Sequence, residues 1–223
     1  MKRDNAAGGM FFSMMLAYVV IFISLFYSYY IYYQSSMIAL EENVDNAMNE
    51  ANLSAMTLDL DAFSYDYDEV TNEFLVNPYL ISSQDAFNVY ESTICTNMNI
   101  DKDNNGAYVP KANTRWASFL TSINILDVVV LDVVYSDTGI LQVSARDING
   151  WRELVLNQTT GLYELGGQSA VPSYCDAGAF ISPDGIIVDS PSVYSRIQLN
   201  IDSNVLGHHA YVRHNTTSIV TIE

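Results

Sequence analysis

The sequence predicts an α+β protein in which a long N-terminal helix, first transmembrane and then amphipathic, packs on a C-terminal antiparallel β-sheet domain. Three observations predict this fold class. An apolar stretch near the start is long enough to span a membrane, a helical apolar period follows it, and after Asn99 the period becomes that of β-strands. Helices followed by a run of strands are typical of α+β domains.

The apolar stretch covers residues 10–33 and contains no charged residue, Gly or Pro. At about 1.5 Å per residue, a helix of this length reaches roughly 36 Å and exceeds a hydrocarbon core of about 30 Å. Tyrosines crowd its far end, where such rings settle between lipid and water. A cleaved signal peptide is the alternative, but its apolar region would be much shorter. We therefore predict a retained transmembrane helix.

Lys2 and Arg3 precede the apolar stretch and determine the predicted orientation. Basic residues next to a membrane span favour the cytoplasmic side. The sequence thus predicts a cytoplasmic stub at residues 1–9, a single span at residues 10–33, and an extracellular C-terminal domain at the cell membrane.

The helix is predicted to continue as an amphipathic helix through residues 34–60, because no Pro or Gly interrupts it. An apolar stripe recurs at steps of three and four residues, at Met37, Leu40, Val44, Met48, Ala51, Ala55 and Leu58. One helix over residues 10–60 would be about 75 Å long. A helical hairpin or a short coiled coil is the alternative.

Residues 61–223 are predicted to form an extracytoplasmic α+β domain. Residues 59–73 are acidic with alternating aromatic side chains, which indicates a loop or an extended link. Ser82-Ser83-Gln84-Asp85 has the pattern of a helix start, and apolar residues at helical spacing follow it. A second helix is therefore predicted to end near Asn97.

Residues 123–135 are rich in β-branched side chains and predict a strand, with residues 116–120 leading into it. Asn149-Gly150 and Thr160-Gly161 have the composition of hairpin turns. Further strands are predicted at residues 140–146, 151–157, 161–165, 192–201 and 210–222.

Charge restricts the partners of the chain. The formal net charge of -17 argues against a nucleic-acid partner, because phosphate binding needs a basic face. Acidic residues dominate between Glu41 and Glu91, where no Lys or Arg occurs. This region suits a solvated surface, a divalent cation or a basic partner.

Cys95 and Cys175 both lie in the domain predicted to be outside the cell, where disulfides persist. A single disulfide between them is the simplest interpretation. In the chain-entropy model, closing about 80 residues contributes roughly 4 to 5 kcal/mol. Two separate buried thiols are the alternative.

Residues 101–106 match the first half of a calcium loop. Its ligands would be the side chains of Asp101, Asp103 and Asn105 and the carbonyl of Ala107. Ala112 stands where the loop normally has a bidentate Glu. A weak calcium site and an ordinary Asn/Gly turn both stay open, and no cofactor is required.

Other candidate sites are weaker. The sequence has no nucleophile elbow, phosphate loop or zinc-protease motif, which predicts a protein that is not an enzyme. His208 and His209 would point to opposite faces of a strand, so a metal site with His214 is not favoured. Asn52, Asn157 and Asn215 each begin an Asn-X-Ser/Thr sequence of the kind that accepts glycans.

The layout resembles pilin-like proteins, particularly the TadE-like pseudopilins of pilus and secretion machines. The resemblance is carried by Lys2-Arg3, by Gly8-Gly9 before the apolar stretch, by the unbroken anchor and amphipathic helix, and by the closing run over residues 192–223. It implies a pilin-like fold and processing at Gly8 or Gly9. The family pattern places a Glu five residues after the cleaved Gly, and Met14 stands there in this chain, which favours an uncleaved N-terminus.

The resemblance also implies a function, namely a non-enzymatic subunit or accessory component of a surface pilus or of a secretion or DNA-transfer assembly. Its partners would be membrane lipid and other pilin-like subunits or secretion-machine proteins. A row of small residues on which like helices can pack comprises Ser13, Ala17, Ser24 and Ser28. Plain lipid anchoring is the alternative for this row. The alternative function is a membrane-tethered extracellular domain for ligand binding or adhesion, with calcium as a stabilising ion.

Overall fold

The computed structural model describes residues 2–56, 67–68, 73–74, 82–136, 138–203 and 208–219. The chain divides into two compact units, Met1–Glu42 and Asn43–Glu223, and we call the second unit the sheet domain. The boundary falls within helix α1, which runs over Lys2–Ala55. The predicted helix of residues 10–60 therefore starts earlier than expected, and its last residues lie outside the described part.

In the first unit, every side chain over residues 9–32 is exposed. The segment is apolar in all directions around the helix axis, a distribution that suits a helix surrounded by lipid or by other helices. α1 is long and apolar enough to cross a membrane, with a mean hydropathy of 2.2 in its most apolar window. The predicted candidate span is thus present as an unbroken helix.

In the sheet domain, the last part of α1 contributes one buried stripe. Val44, Ala47, Met48, Ala51 and Ala55 are buried and follow one another at steps of three, one, three and four residues. This spacing places them on one face of the helix. The predicted amphipathic character is confirmed for this part of α1.

Helix α2 runs over Ser83–Asn97 and begins as the sequence predicted. The side chain of the N-cap residue Ser82 accepts a hydrogen bond from the N–H of Asp85 at 3.1 Å, which satisfies one of the free donors at the helix start. Ala86, Tyr90 and Ile94, at steps of four residues, turn their side chains into the core.

The described part of the chain contains thirteen strands. They are β1 (Tyr67–Asp68), β2 (Glu73–Phe74), β3 (Ile100–Lys102), β4 (Tyr108–Pro110), β5 (Leu120–Tyr135), β6 (Leu141–Asp147), β7 (Gly150–Leu156), β8 (Tyr163–Ser169), β9 (Cys175–Asp176), β10 (Phe180–Ile181), β11 (Ile187–Val188), β12 (Ser192–Ser203) and β13 (His208–Ile219). The six strands expected from the sequence, at residues 123–135, 140–146, 151–157, 161–165, 192–201 and 210–222, are confirmed in their central parts as β5, β6, β7, β8, β12 and β13. The expected lead-in at residues 116–120 is wrong for residues 116–119, which form turns.

The main sheet has the strand order β11-β10-β8-β7-β6-β5-β12-β13. β4 pairs with both β5 and β3, β9 pairs with β6, and β1 pairs with β2. Nearly all pairs are antiparallel, but β10 runs parallel to β8, with Phe180 opposite Tyr163. The predicted purely antiparallel sheet is therefore wrong in this respect. The chain between β8 and β10 crosses over through β9 instead of turning back directly.

The sheet curls around its core. Val129 and Leu131 of β5 share one buried cluster with Tyr194 of β12 and with Phe180 and Val188, which come from the far end of the strand order. Strands so far apart in the order can share a core only if the sheet bends towards itself. The core thus lies inside the curl.

Candidate functional site

The exposed segment of α1 contains the predicted row of small residues. Ser13, Ala17, Ser24 and Ser28 are all exposed, and Ser13 Oγ donates a hydrogen bond to the Gly9 carbonyl at 2.9 Å. At 100° per residue, steps of four, seven and four keep these side chains on one side of the helix. The predicted processing residues Gly8 and Gly9 both lie inside α1.

Three polar residues of α1 bind the last strand of the sheet domain. Asp45, Asn49 and Asn52 are spaced by four and three residues, so they share a helix face. Asp45 Oδ1 lies 3.0 Å from His214 Nδ1, Asn49 Oδ1 accepts a hydrogen bond from Ser218 Oγ, and Asn52 Nδ2 donates to the Thr216 carbonyl at 3.2 Å. These contacts attach α1 to β13.

Asp184 joins the two ends of the curled sheet. It lies in the turn between β10 and β11, and its carboxylate accepts hydrogen bonds from both the N–H and the Oγ1–H of Thr217, each at 2.6 Å. Thr217 belongs to β13, the strand at the opposite end of the order. The carboxylate thereby satisfies the backbone N–H of Thr217 at the edge of the sheet. An unsatisfied N–H at this edge could pair with another strand.

A cleft of about 190 Å³ opens in the sheet domain between α2 and the strands β5 to β8. Apolar side chains form part of its wall, including Phe87, Leu126 and Ile148, and the last two are 39% and 45% exposed. Asp127, Asp147, Arg152 and Gln168 supply its polar groups. An apolar wall with a few polar groups is the composition of small-molecule sites, but the cleft is smaller than their usual volume of about 300 to 1,000 Å³.

The polar groups of the cleft satisfy one another. Arg152 Nη1 lies 3.2 Å from Asp147 Oδ2 and 3.4 Å from Asp127 Oδ1. Asp127 also pairs with Arg196, and Gln168 Nε2 donates to Asp147 Oδ2 at 2.7 Å. Because each carboxylate faces an arginine, the cleft is polar without a strong net charge.

Gly166 also binds Arg152. Its carbonyl accepts hydrogen bonds from Arg152 Nε at 2.9 Å and from Nη2 at 2.6 Å. A Cβ at Gly166 would lie 2.8 Å from Val155 Cγ2 and 2.9 Å from the Glu153 carbonyl, so a side chain does not fit there. The pairing of β7 and β8 also shifts register between Arg152 and Leu154.

The residues of the predicted calcium loop form a tight turn between β3 and β4. Asp103 Oδ1 accepts the N–H groups of Asn105 and Ala107, each at 2.8 Å, and the Ala107 carbonyl accepts the Asp103 N–H at 2.8 Å. Asp101 lies on β3, and its carboxylate is 3.2 Å from Lys111 Nζ. The structure thus brings Asp103, Asn105 and Ala107 together and pairs Asp101 elsewhere. Calcium binding stays a prediction.

The predicted disulfide between Cys95 and Cys175 is wrong, because both are free thiols. Cys95 lies on α2, whereas Cys175 lies on β9 opposite Val143 and belongs to the sheet core. Burial raises the pKa of both thiols, with Asp176 adding to the effect for Cys175, whose pKa rises to about 11. Both thiols are therefore protonated at neutral pH and are poor nucleophiles.

Glu91 of α2 holds the β3–β4 hairpin. Its Oε1 accepts hydrogen bonds from Lys102 Nζ at 2.7 Å and from the Tyr108 hydroxyl at 2.6 Å. Burial alone would raise the pKa of Glu91, but the hydrogen bonds from Lys102 and Tyr108 outweigh it and lower this pKa. Burial and the nearby Glu91 raise the pKa of Tyr108 to about 12.

The histidines do not form a metal site within the described part of the chain. His214 pairs with Asp45, and the side chains of His208 and His209 lie outside the described residues. Among the described residues, no group of three or more His, Cys, Asp or Glu side chains is placed to hold a metal ion.

No sequence pattern predicted the ion pairs that Asp127 and Asp147 form with Arg152 and Arg196. The signal of these residues is faint, because no motif joins them, but Arg152 and Arg196 are two of four arginines that stand within strands of a chain that has only nine Lys and Arg. Comparisons with protein-family models, with curated proteins and with solved structures find no match for this chain.

Proposed function

We propose that this protein is a non-enzymatic, membrane-anchored subunit or accessory component of a pilin-like surface or secretion assembly. One observation carries the proposal, namely that the single helix α1 has a fully exposed apolar part and a part embedded in the sheet domain. Such a helix supports both anchoring of a folded domain and contact between anchors. The TadE-like pseudopilins that the sequence resembles have this layout.

The exposed part of α1 needs either lipid or neighbouring helices. Water cannot compensate for its apolar surface, so the segment leaves a bilayer only when other helices cover it. The small-residue row at Ser13, Ala17, Ser24 and Ser28 lets a second backbone approach closely. The proposed partner is therefore a like helix in the membrane or in an assembled fibre.

The proposed topology places Lys2 and Arg3 in the cytoplasm and the sheet domain outside the cell. Protease added to intact cells should then remove epitopes of the sheet domain. Full protection across a sealed membrane would refute this orientation.

Crosslinking between copies tests assembly. In a Cys95→Ser, Cys175→Ala background, we expect Ala17→Cys and Ser24→Cys to give oxidised dimers in native membranes. Met15→Cys and Phe22→Cys are matched controls, because 100° per residue places them on the opposite side of the helix. A protein that stays monomeric during active secretion or piliation, or one that crosslinks equally from both sides, would count against the proposal.

The cleft favours a second candidate function, a membrane-tethered domain for ligand binding or adhesion. Exposed Leu126 and Ile148 beside the paired Arg152 give it the apolar and polar surfaces that a neutral, hydroxyl-rich ligand needs. An Ile148→Asp variant should then lose cell adhesion while the Ala17→Cys crosslink persists. The opposite pattern, normal adhesion with crosslinks lost by helix variants, would leave only the assembly function.

Sequencing the N-terminus of the protein from its own membrane tests maturation. The Met14 in place of Glu leads us to expect an uncleaved start. A start at Gly9 or Met10 would refute that expectation and strengthen the proposed kinship with processed pilins.

A further inference from the structure

Asn157 directly follows β7, at the base of the turn that leads into β8. Its N–H donates to the Leu162 carbonyl, and its own carbonyl accepts the N–H of Gly161, both at 2.8 Å. These bonds fix the two ends of the turn. Residues 158–160 between them are exposed.

Within this turn, residues 157–159 form an Asn-X-Thr sequence. Hydrogen bonds hold the side-chain amide of Asn157 next to Thr159. Asn157 Oδ1 accepts the N–H of Thr159 at 2.9 Å, and Asn157 Nδ2 donates to Glu164 Oε1 at 2.6 Å. Both contacts lie at the surface. The amide that would carry a glycan is thus next to the threonine that its recognition requires.

The chain contains a contrasting copy of the same pattern. Asn52 begins Asn-Leu-Ser within α1, but its side chain is fully buried and Nδ2 donates to the Thr216 carbonyl. A bulky glycan has no room there. In the third copy, the hydroxyl of Thr217 is buried and donates to Asp184, while the side chain of Asn215 lies outside the described residues.

We propose that Asn157 is a site of N-linked glycosylation, an inference that rests on the outward topology proposed above. The co-reactant is a sugar carried on a lipid diphosphate, and a membrane glycosyltransferase joins it to the protein. Nδ2 of Asn157 forms a bond to the anomeric carbon, and the bond from that carbon to the phosphate oxygen breaks. The lipid diphosphate leaves with the electron pair, and a base of the transferase takes the amide proton.

The position suits the modification physically. The turn projects three exposed residues in succession, so a glycan extends into solvent without displacing core side chains. The hydrogen bond to Glu164 is a surface contact, and its loss costs little. Glycosylation would add a hydrophilic, uncharged cover to one turn of the sheet domain.

Mass spectrometry of the protein purified from its own membrane tests the proposal. We expect a glycopeptide that contains Asn157 and an unmodified peptide that contains Asn52. Asn157→Gln and Thr159→Ala should abolish the intact-mass shift, whereas Thr159→Ser should retain it. Asn149→Gln is the matched control, because Asn149 is also exposed in a hairpin turn but is followed by Gly150 and Trp151.

Protease accessibility of the sheet domain, measured on the same cells, separates the two proposals. An accessible domain with unmodified Asn157 would overturn the glycosylation and leave the topology intact. A protected domain would overturn both. Equal melting temperatures of Asn157→Gln and the unsubstituted protein after enzymatic deglycosylation would show that the lost mass shift does not come from misfolding.

Discussion

The two parts of α1 are both rich in apolar residues, yet their surroundings are opposite. Met14 is 57% exposed in the first part, and Met48 is completely buried in the second. The difference lies in the angular distribution of polar residues, since the first part is apolar on all sides, whereas the second places the exposed Asn46 and Glu50 opposite its buried residues. The composition of a helix shows that its apolar surface must be covered. The distribution of the apolar residues around the helix axis shows whether lipid or a protein core covers it.

Charged residues in the first part of α1 should have the largest effect. A Val20→Asp, Ile23→Asp double variant should cost about 5 to 7 kcal/mol of membrane insertion, from about 2.5 to 3.5 kcal/mol for each residue at the helix centre. We expect the protein to leave the alkaline-washed membrane pellet. The Val20→Leu, Ile23→Leu variant is the control and should remain there. Retention of both variants would contradict a membrane-spanning role.

Met14 and Met48 provide a direct test of the different surroundings of the two parts of α1. Met48→Ala should lower the free energy of unfolding by about 2 to 5 kcal/mol, because it leaves a cavity in the core of the sheet domain. Met14→Ala should change it by less than about 0.5 kcal/mol. Urea unfolding in detergent, followed by the fluorescence of Trp116 and Trp151, measures both. Equal losses would mean that the two parts share one environment.

The ion pairs of the cleft allow the same kind of comparison between a partly buried arginine, Arg152, and an exposed one, Arg115. Arg152→Met should destabilise the sheet domain by about 3 kcal/mol, because it leaves Asp147 without its arginine and Asp127 with Arg196 alone. Arg115→Met removes an exposed arginine and should cost less than about 0.5 kcal/mol. The same urea titrations decide between them. A neutral Arg152→Met variant would mean that packing alone holds β7 and β8.

Acid should loosen the contact between α2 and the β3–β4 hairpin. The pKa of Glu91 is lower in the folded than in the unfolded protein, so its stabilisation is present above the unfolded pKa of about 4.3 and is lost as the pH falls through the folded pKa. The Lys102 side chain that pairs with Glu91 is 51% exposed, so solvent screens the interaction and we expect less than about 1 kcal/mol. Glu91→Gln should therefore melt below the unsubstituted protein at pH 7 and level with it near pH 3. A gap that persists in acid would point to lost packing instead.

Calcium gives the smallest expected effect. The Asp103 carboxylate already accepts two backbone N–H groups, and Asp101 faces Lys111, so we expect equal melting temperatures in calcium and in chelator. Any ion that bound only the folded protein would raise this temperature. A rise in calcium that Asp103→Ala abolishes would establish the site and overturn this expectation.

Local patterns made much of the fold predictable. The start of α2 at Ser82 follows from one capping residue, β5 follows from a run rich in β-branched residues, and β12 follows from an alternating run. These signals lie within a few neighbouring residues, so tertiary contacts are not needed to read them. The apolar part of α1 was visible for the same reason.

What the sequence did not reveal depends on residues far apart in the chain. The separation of Cys95 from Cys175 depends on where α2 and β9 lie in the fold, and spacing says nothing about that. In the sequence Asp184 is an ordinary turn residue, and its role depends on its hydrogen bonds to Thr217 of β13. The cleft joins side chains from β5, β6, β7 and β8. The need for glycine at position 166 comes from the close approach of Glu153 and Val155 on the neighbouring strand. No periodicity reports such contacts.

The attachment of α1 to β13 imposes an order of events on synthesis. Asn52 and Thr216 are 164 positions apart, so at about 5 to 20 residues per second the ribosome needs roughly 10 to 30 s to add the partner strand. Throughout that interval, α1 has been made but its partner strand has not. A nascent chain interrupted before β13 therefore leaves Asp45, Asn49 and Asn52 without the strand that binds them, and incomplete chains of this kind are what chaperones engage.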